Sequence, residues 1–184
     1  LYSATIKHRE DRTTNKIIRG TAYSFAYNVV IGTTLTLSSE QITQWNKKDK
    51  FTVKAILEQY ERTFTTAPVI DTDLPIINYL GHPYQGSIYY NALRCQGANA
   101  RQSALFCAAH ALLWEYAWEG GIEQPSIQDL VITPAAGILL GELSHVLTIK
   151  MSRNGFRWYE VVTVCLLNPM YAVNNGFKVR HPVD

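Results

Sequence analysis

Apolar residues recur at helical spacing along most of the chain. The clearest stripe is Val53, Ile56, Leu57, Tyr60 and Phe64, with Lys54, Glu58, Glu61 and Arg62 on the opposite side, which predicts an amphipathic helix laid on a core. Upstream, residues 20–39 carry no charge, but Asn28, two glycines and many Ser and Thr dilute their hydropathy. The stretch therefore reads as a buried or interface-lying helix rather than a membrane span. Residues 40–50 read as a short helix and a polar turn. From Thr65 to Gly86 three prolines and two glycines predict a long ordered loop, of the kind that carries function in a compact domain. Three helices follow: Ser87 to Gln96, capped by Ser87; Arg101 to Glu119, stopped by Gly120 and Gly121; and Ser126 to Met151, capped by Ser126 with Asp129 favouring its N-terminus. Pro134 predicts a kink in the third. Residues 154–168 include the β-branched run VVTVC, yet no partner strand is visible, so they read as a helix, and Pro169 opens a last short one before Gly176.

The pattern predicts a mainly α protein: a single-domain helical bundle with a long ordered loop before the central three helices. Residues 1–19, rich in mixed charge, read as a solvated N-terminal arm, 20–176 as the helical domain and 177–184 as a tail. Composition adds one constraint. Hydrophobic residues make up 47% and charged residues only 17% of the 184, below the usual quarter, which tilts the surface towards contact with a partner or with a membrane or envelope lipid. A net charge of +2 and the lack of basic runs interleaved with aromatics argue against nucleic acid. Cys95, Cys107 and Cys165 are odd in number and lack C-x-x-C spacing, so they read as buried small hydrophobes. Leu1 in place of an initiator methionine predicts a piece of a longer protein.

Candidate chemistry gathers on the helices. Glu142 and His145 lie three residues apart and share a face of the third helix. Ala104, Ala108 and Ala111 form a small-residue stripe leading to Glu115, and Gly137 and Gly141 a second one, so the two small faces are expected to pack together and bring Glu115 close to Glu142. Two carboxylates in such a contact need an offset: protonation, Arg94, His145, His82 or a cation. Glu-x-x-His is the pattern used by carboxylate-bridged di-metal bundles, and a single metal on two His and one or two carboxylates would suit a hydrolase. No cofactor follows from this alone. A divalent metal is the one the centre admits, with Glu142, His145, Glu115 and His82 as ligand candidates, and a satisfied structural network explains the same residues more economically. The same four are the candidate catalytic residues. Arg94, Asn91, Tyr84, Tyr90 and Trp114 are the candidate binding residues, the aromatics fitting a lipid or glycan pocket or a membrane interface.

Read together, Asp71-x-Asp73, His82-Pro83-Tyr84-x-Gly86-Ser87, Tyr89-Tyr90-Asn91, Arg94, Trp114-Glu115-Tyr116, Pro125-Ser126-Ile127-x-Asp129, Gly141-Glu142 and Asn168-Pro169 resemble an uncharacterised domain-of-unknown-function family of Gram-negative envelope proteins. The resemblance runs from about residue 71 to about residue 169. A more distant likeness is to VanZ-like and small periplasmic lipoprotein families. The resemblance implies a helical core and a bacterial cell envelope location, periplasmic or membrane-associated, and carries no activity with it. The expected function is an envelope-associated module whose polar pocket of His82, Arg94, Glu115, Glu142 and His145 binds a ligand or holds the fold. The rival is a hydrolase acting on a lipid or cell-wall substrate, with a glutamate as general base and a histidine or metal as electrophilic help.

Overall fold

The structure, a computed structural model, describes residues 12–70 and 72–178. Its helices are α1 (Thr13–Leu37), α2 (Glu40–Thr43), α3 (Lys47–Lys50), α4 (Val53–Thr65), α5 (His82–Arg94), α6 (Ala100–Leu113), α7 (Ile127–Ser152), α8 (Trp158–Leu167) and α9 (Pro169–Asn175). A π-helical turn, Ile77–Gly81, runs directly into α5, and another, Trp114–Trp118, continues α6. Extended pairing among the described residues is limited to one bridge, Val69 to Ser126, which ties the loop before α5 to the start of α7. The protein is mainly α, as its pattern predicts.

Local signals set several boundaries. The Thr52 side chain accepts from the Ala55 N–H to cap α4, Ser126 does the same for Asp129 on α7, and Asn99 and Gln102 form a capping box on α6. Gly176, at φ 67°, ends α9 in a left-handed conformation that glycine adopts without cost. The stretch VVTVC is helical, within α8. Other boundaries differ from the reading of the sequence. The division between arm and domain at 19/20 falls inside α1, and residues 1–11 of the arm and 179–184 of the tail lie outside the described residues. The first central helix begins at His82, not Ser87. Pro83 sits where the π turn passes into α5, a junction whose altered hydrogen bonding accommodates its missing N–H, and Gly86 is an interior helical residue. Of the cysteines, Cys95 and Cys107 are buried and Cys165 is exposed; all three are free.

The helix at the centre is α5. Every residue from His82 to Leu93 except Tyr84 is buried. It runs parallel to α7: His82 meets Thr133 at one end, and Cys95, just past α5, meets His145 at the other. The chain returns between them through α6, whose Cys107 thiol donates to the Gly86 carbonyl at 3.2 Å. Antiparallel to α5 lies α1, with Arg19 donating to Gln96 and Asn28 2.6 Å from the Tyr89 hydroxyl. The long helices thus alternate in direction, α1 and α6 one way, α5 and α7 the other.

The contact between α5 and α7 explains the glycines. A Cβ on Gly86 would stand 2.0 Å from the Thr133 carbonyl oxygen, and one on Gly137 would stand 2.5 Å from the Gly86 Cα. Gly141 faces the Tyr90 ring in the same way, at 2.7 Å. The small face of α7 therefore packs on α5, and the expected pairing with the alanine stripe of α6 is not the one formed. The reason is geometric: two glycines in register allow backbone-to-backbone contact that alanines do not.

Gly137→Ala should lower stability by about 3 kcal/mol or block folding, because the obstacle is backbone rather than a movable side chain. Gly32→Ala, whose Cβ would meet nothing within 4 Å, should stabilise by about 0.5–1 kcal/mol through helix propensity. Thermal or denaturant unfolding monitored by circular dichroism measures both.

Candidate functional site

The predicted centre divides into two along the α5–α7 seam. At the far end of α5, Arg94 clasps Glu142 with both arms, Nε to Oε2 at 2.9 Å and Nη2 to Oε1 at 3.1 Å, while the Tyr90 hydroxyl donates to Oε2 at 2.5 Å. The fork geometry of a guanidinium on a carboxylate makes this the strongest kind of side-chain pair. Arg94 also donates to the Ala98 carbonyl at 3.0 Å, closing the turn between α5 and α6. Asn91 donates to the Gly141 carbonyl and the Ser144 hydroxyl, both at 3.1 Å. Beside this group His145 is buried with Nδ1 3.7 Å from the Cys95 thiol, which itself lies 3.5 Å from Asn168 Oδ1. Asn168 donates to the Thr148 hydroxyl and accepts from Tyr171 N–H at the start of α9. Glu142 and His145 therefore face different partners: the carboxylate goes to Arg94 and the imidazole to a neutral polar seam. What the two do together is lock α5, α7 and the α8–α9 junction.

The second centre lies at the near end of the seam and joins His82, Glu115 and Asp129. Each is about nineteen-twentieths buried, with relative exposures of 6%, 3% and 3%. One ligand-type atom from each lies within 4.8 Å of the others, and His82 Nε2 stands 3.7 Å from Asp129 Oδ1. The other ring nitrogen, Nδ1, is 3.0 Å from the Thr133 hydroxyl. Glu115 accepts from the Ser126 backbone N–H at 3.0 Å, so the start of α7 orients its carboxylate. His82 enters from the junction of one π turn with α5 and Glu115 from within the other. The extra residue in such a turn rotates the adjoining helix about its axis, and π turns recur at functional sites for that reason.

Glu115 and Glu142 do not meet. Asp129, level with Glu115, is separated from Glu142 by roughly 20 Å of α7 at 1.5 Å per residue. The acid that joins Glu115 and His82 is Asp129, which its place in a first helical turn made to look like a capping group. Asp71 lies outside the described residues.

An apolar cavity of about 240 Å³ adjoins this centre, walled by Tyr27, Ile31, Leu35, Trp45, Ile77 and Trp114, and His82, Gln85, Asp73 and Glu119 give it a polar side. Two of the predicted binding residues, Tyr84 and Trp114, line it; Tyr84 also donates to the Leu166 carbonyl at 2.7 Å. Asn91, Tyr90 and Arg94 belong to the other centre. Trp114 donates through its indole N–H to Glu119 at 2.7 Å, and burial, followed by the charges of Glu115 and Glu123, pushes the Glu119 carboxyl well above its usual range. His110, on α6, stacks against Phe106 and Tyr89 and takes no part in either centre.

A family model described as Domain of unknown function (DUF3943) matches residues 67–170, more than half of the chain and inclusive of both centres. No curated protein and no solved structure matches, so the likeness to VanZ-like proteins has no counterpart among these comparisons.

Glu142→Gln should cost about 1.5–3 kcal/mol, the worth of a hydrogen bond to a charged group, by leaving Arg94 without its carboxylate. Arg94→Gln combined with Glu142→Gln should cost less than the sum of the single changes. A double-mutant cycle by chemical denaturation measures the coupling.

Proposed function

The chain belongs to the family described as Domain of unknown function (DUF3943), and from that premise we propose that it is a membrane-embedded helical module of the cell envelope whose acidic end binds an amphiphile. One observation carries this reading: on α1 and α7 the exposed positions are largely apolar and the buried ones small or polar. On α7 the exposed positions include Val131, Leu139, Leu143, Val146 and Leu147, whereas the buried ones are Asp129, Thr133, Gly137, Gly141, Ser144, His145, Thr148 and Ser152. On α1 Ile18, Phe25, Val29 and Val30 are exposed while Gly20, Ser24 and Asn28 are buried. On α6 Leu105, Leu112 and Leu113 face outward, and Ser103 and His110 are buried together with Phe106, Cys107 and Ala111. Water would favour the opposite arrangement; lipid favours this one, with small residues and interhelical hydrogen bonds inside.

Lengths agree. The 25 residues of α1 and 26 of α7 reach roughly 37–39 Å, enough for a hydrocarbon core of about 30 Å. Among the described residues α7 is the helix whose length and composition alone pass as a span, with only 28% of its apolar window buried. The ten apolar residues of α8 suit a re-entrant or interfacial segment. Arg94 and Glu142, partly exposed at the end of the seam, are paired, and the fully buried carboxylates, Glu115 and Asp129, gather at His82.

Charge is divided between the two ends. Lys16, Arg19, Arg94, Arg101, Lys150 and Arg153 sit where α1 and α6 begin and α5 and α7 finish. The opposite end holds Asp73, Glu115, Glu119, Glu123 and Asp129 together with the basic residues of α3 and α4, of which Lys47 is bound to carbonyls at the end of α1, Lys50 to Glu123 and Lys54 to Glu58, with Lys48 and Arg62 beside them. The excess of basic residues favours the first end as the cytoplasmic one, which directs the cavity and the His82 centre outward. The apolar walls of that cavity suit an acyl or similar chain, and its polar side suits a head group that donates hydrogen bonds. A second reading, a hydrolase acting on such an amphiphile, has one observation in its favour: His82, with two buried carboxylates within 4.8 Å, forms part of the cavity wall.

The whole chain expressed in bacteria should stay with membranes through an alkaline carbonate wash; recovery as a monodisperse monomer without detergent would sink the reading. Leu139→Glu with Leu143→Glu should abolish membrane recovery, whereas two exposed leucines of a water-soluble fold would tolerate the change within about 0.5 kcal/mol each. Ile31→Trp should fill the cavity and reduce binding of a fluorescent acyl-chain probe by tenfold or more, and unchanged binding would place the ligand elsewhere.

A further inference from the structure

We propose that His82, Glu115 and Asp129 form a binding site for one divalent transition-metal cation of the zinc class. An imidazole nitrogen and two carboxylate oxygens are a ligand set such a cation takes, and three protein ligands leave a fourth position open, as in metal sites that act on a substrate. Ligands about 2.0–2.2 Å from a tetrahedral ion stand roughly 3.3–3.6 Å from one another. The 3.7 Å between His82 Nε2 and Asp129 Oδ1 is close to that, and the limit of 4.8 Å for the group closes by side-chain rotations of about 1 Å.

The surroundings are those of a ligand site. A proton on His82 Nδ1, donated to the Thr133 hydroxyl, leaves the Nε2 lone pair facing Asp129, and this outer contact is what fixes a ligating imidazole in place. Glu115 is oriented by the Ser126 backbone N–H and Asp129 by the first turn that Ser126 caps, so three separate segments converge with their carriers immobilised. Two buried carboxylates side by side repel each other and lose their hydration, and a dication offsets both charges at once. His82 also lines the apolar cavity, so a cation held here lies next to the space for the ligand. The inference rests on the geometry of the three side chains and holds whether or not the chain crosses a membrane.

The test uses the purified full chain, in detergent if its solubility requires it, stripped with a chelator and then loaded with Zn²⁺ or Co²⁺. One equivalent of Zn²⁺ should remain after gel filtration, Co²⁺ should give the intense visible absorption of a low-coordinate site, and the melting temperature should rise on loading. His82→Gln and Asp129→Asn should each weaken binding by at least tenfold with circular dichroism unchanged, Thr133→Val by about tenfold, and Glu142→Gln not at all. Should a ligand variant fail to fold, Cu²⁺ on the wild-type chain decides: its electron spin echo modulation should show one imidazole nitrogen donor. Failure of the wild type to retain either metal, full retention by the double variant His82→Gln/Asp129→Asn, or a Cu²⁺ signal without imidazole would overturn the site.

Discussion

Everything in this bundle depends on how closely α5 can approach α7. Gly86 and Gly137 meet backbone to backbone, with no room for a methyl group on either. That approach puts His82 beside Thr133 and Asp129 at one end of the seam and Arg94 beside Glu142 at the other. A seam this tight has few side chains to bury, so it gains little from apolar area and much from packing and from hydrogen bonds across it. Asn91 illustrates the exchange: its amide satisfies the carbonyl of Gly141 and the hydroxyl of Ser144 in a place where a leucine would leave both without a donor.

The polar interior follows the same logic. Asn28, with its amide turned to suit its neighbours, accepts from the Trp118 indole at 3.0 Å and reaches Tyr89, which in turn receives Gln85. That chain ties α1 to α5 and to the turn after α6. Inside a protein each such group is costly alone and stabilising when matched, so the network specifies which helices are neighbours more sharply than oily contacts do.

Much of the helical architecture was legible in residue pattern and capping. The Ser126 cap, the stop at Gly176 and a helix over the stripe from Val53 to Phe64 each have a counterpart in the structure. The stripe does not lie on the core as expected: Val53, Leu57 and Phe64 are exposed, and Gln59 and Thr63 are the residues that α4 buries against the turn after α6. The start of α5 was not legible, because Pro83 and Gly86 read as breakers when one sits where the π turn passes into α5 and the other makes a tertiary contact that no local signal announces. Of the site, His82 and Glu115 stood out by residue type and do come together. Asp129 was masked by its second role in a first helical turn, and Glu142 lies too far along α7 to join them, meeting instead Arg94, one of the offsets that the sequence offered. The reversal of polarity on α1 and α7 was equally hidden: Ser, Thr, Gly and Asn lower hydropathy without showing which side they face.

The two π turns have a consequence for how such a site can arise and be lost. A turn closed by i→i+5 bonds holds one residue more than its α-helical equivalent, so removing a single residue from 77–81 or 114–118 would rotate the adjoining stretch by roughly 100°. The placement of His82 and Glu115 thus has the character of a reading frame. Substitutions around them leave the phase intact, whereas a one-residue deletion before His82 in 77–81 erases it while His82, Glu115 and Asp129 all remain in the chain. Descendants with complete motifs and a misaligned centre are therefore accessible in one genetic step, and motif content alone would not distinguish them.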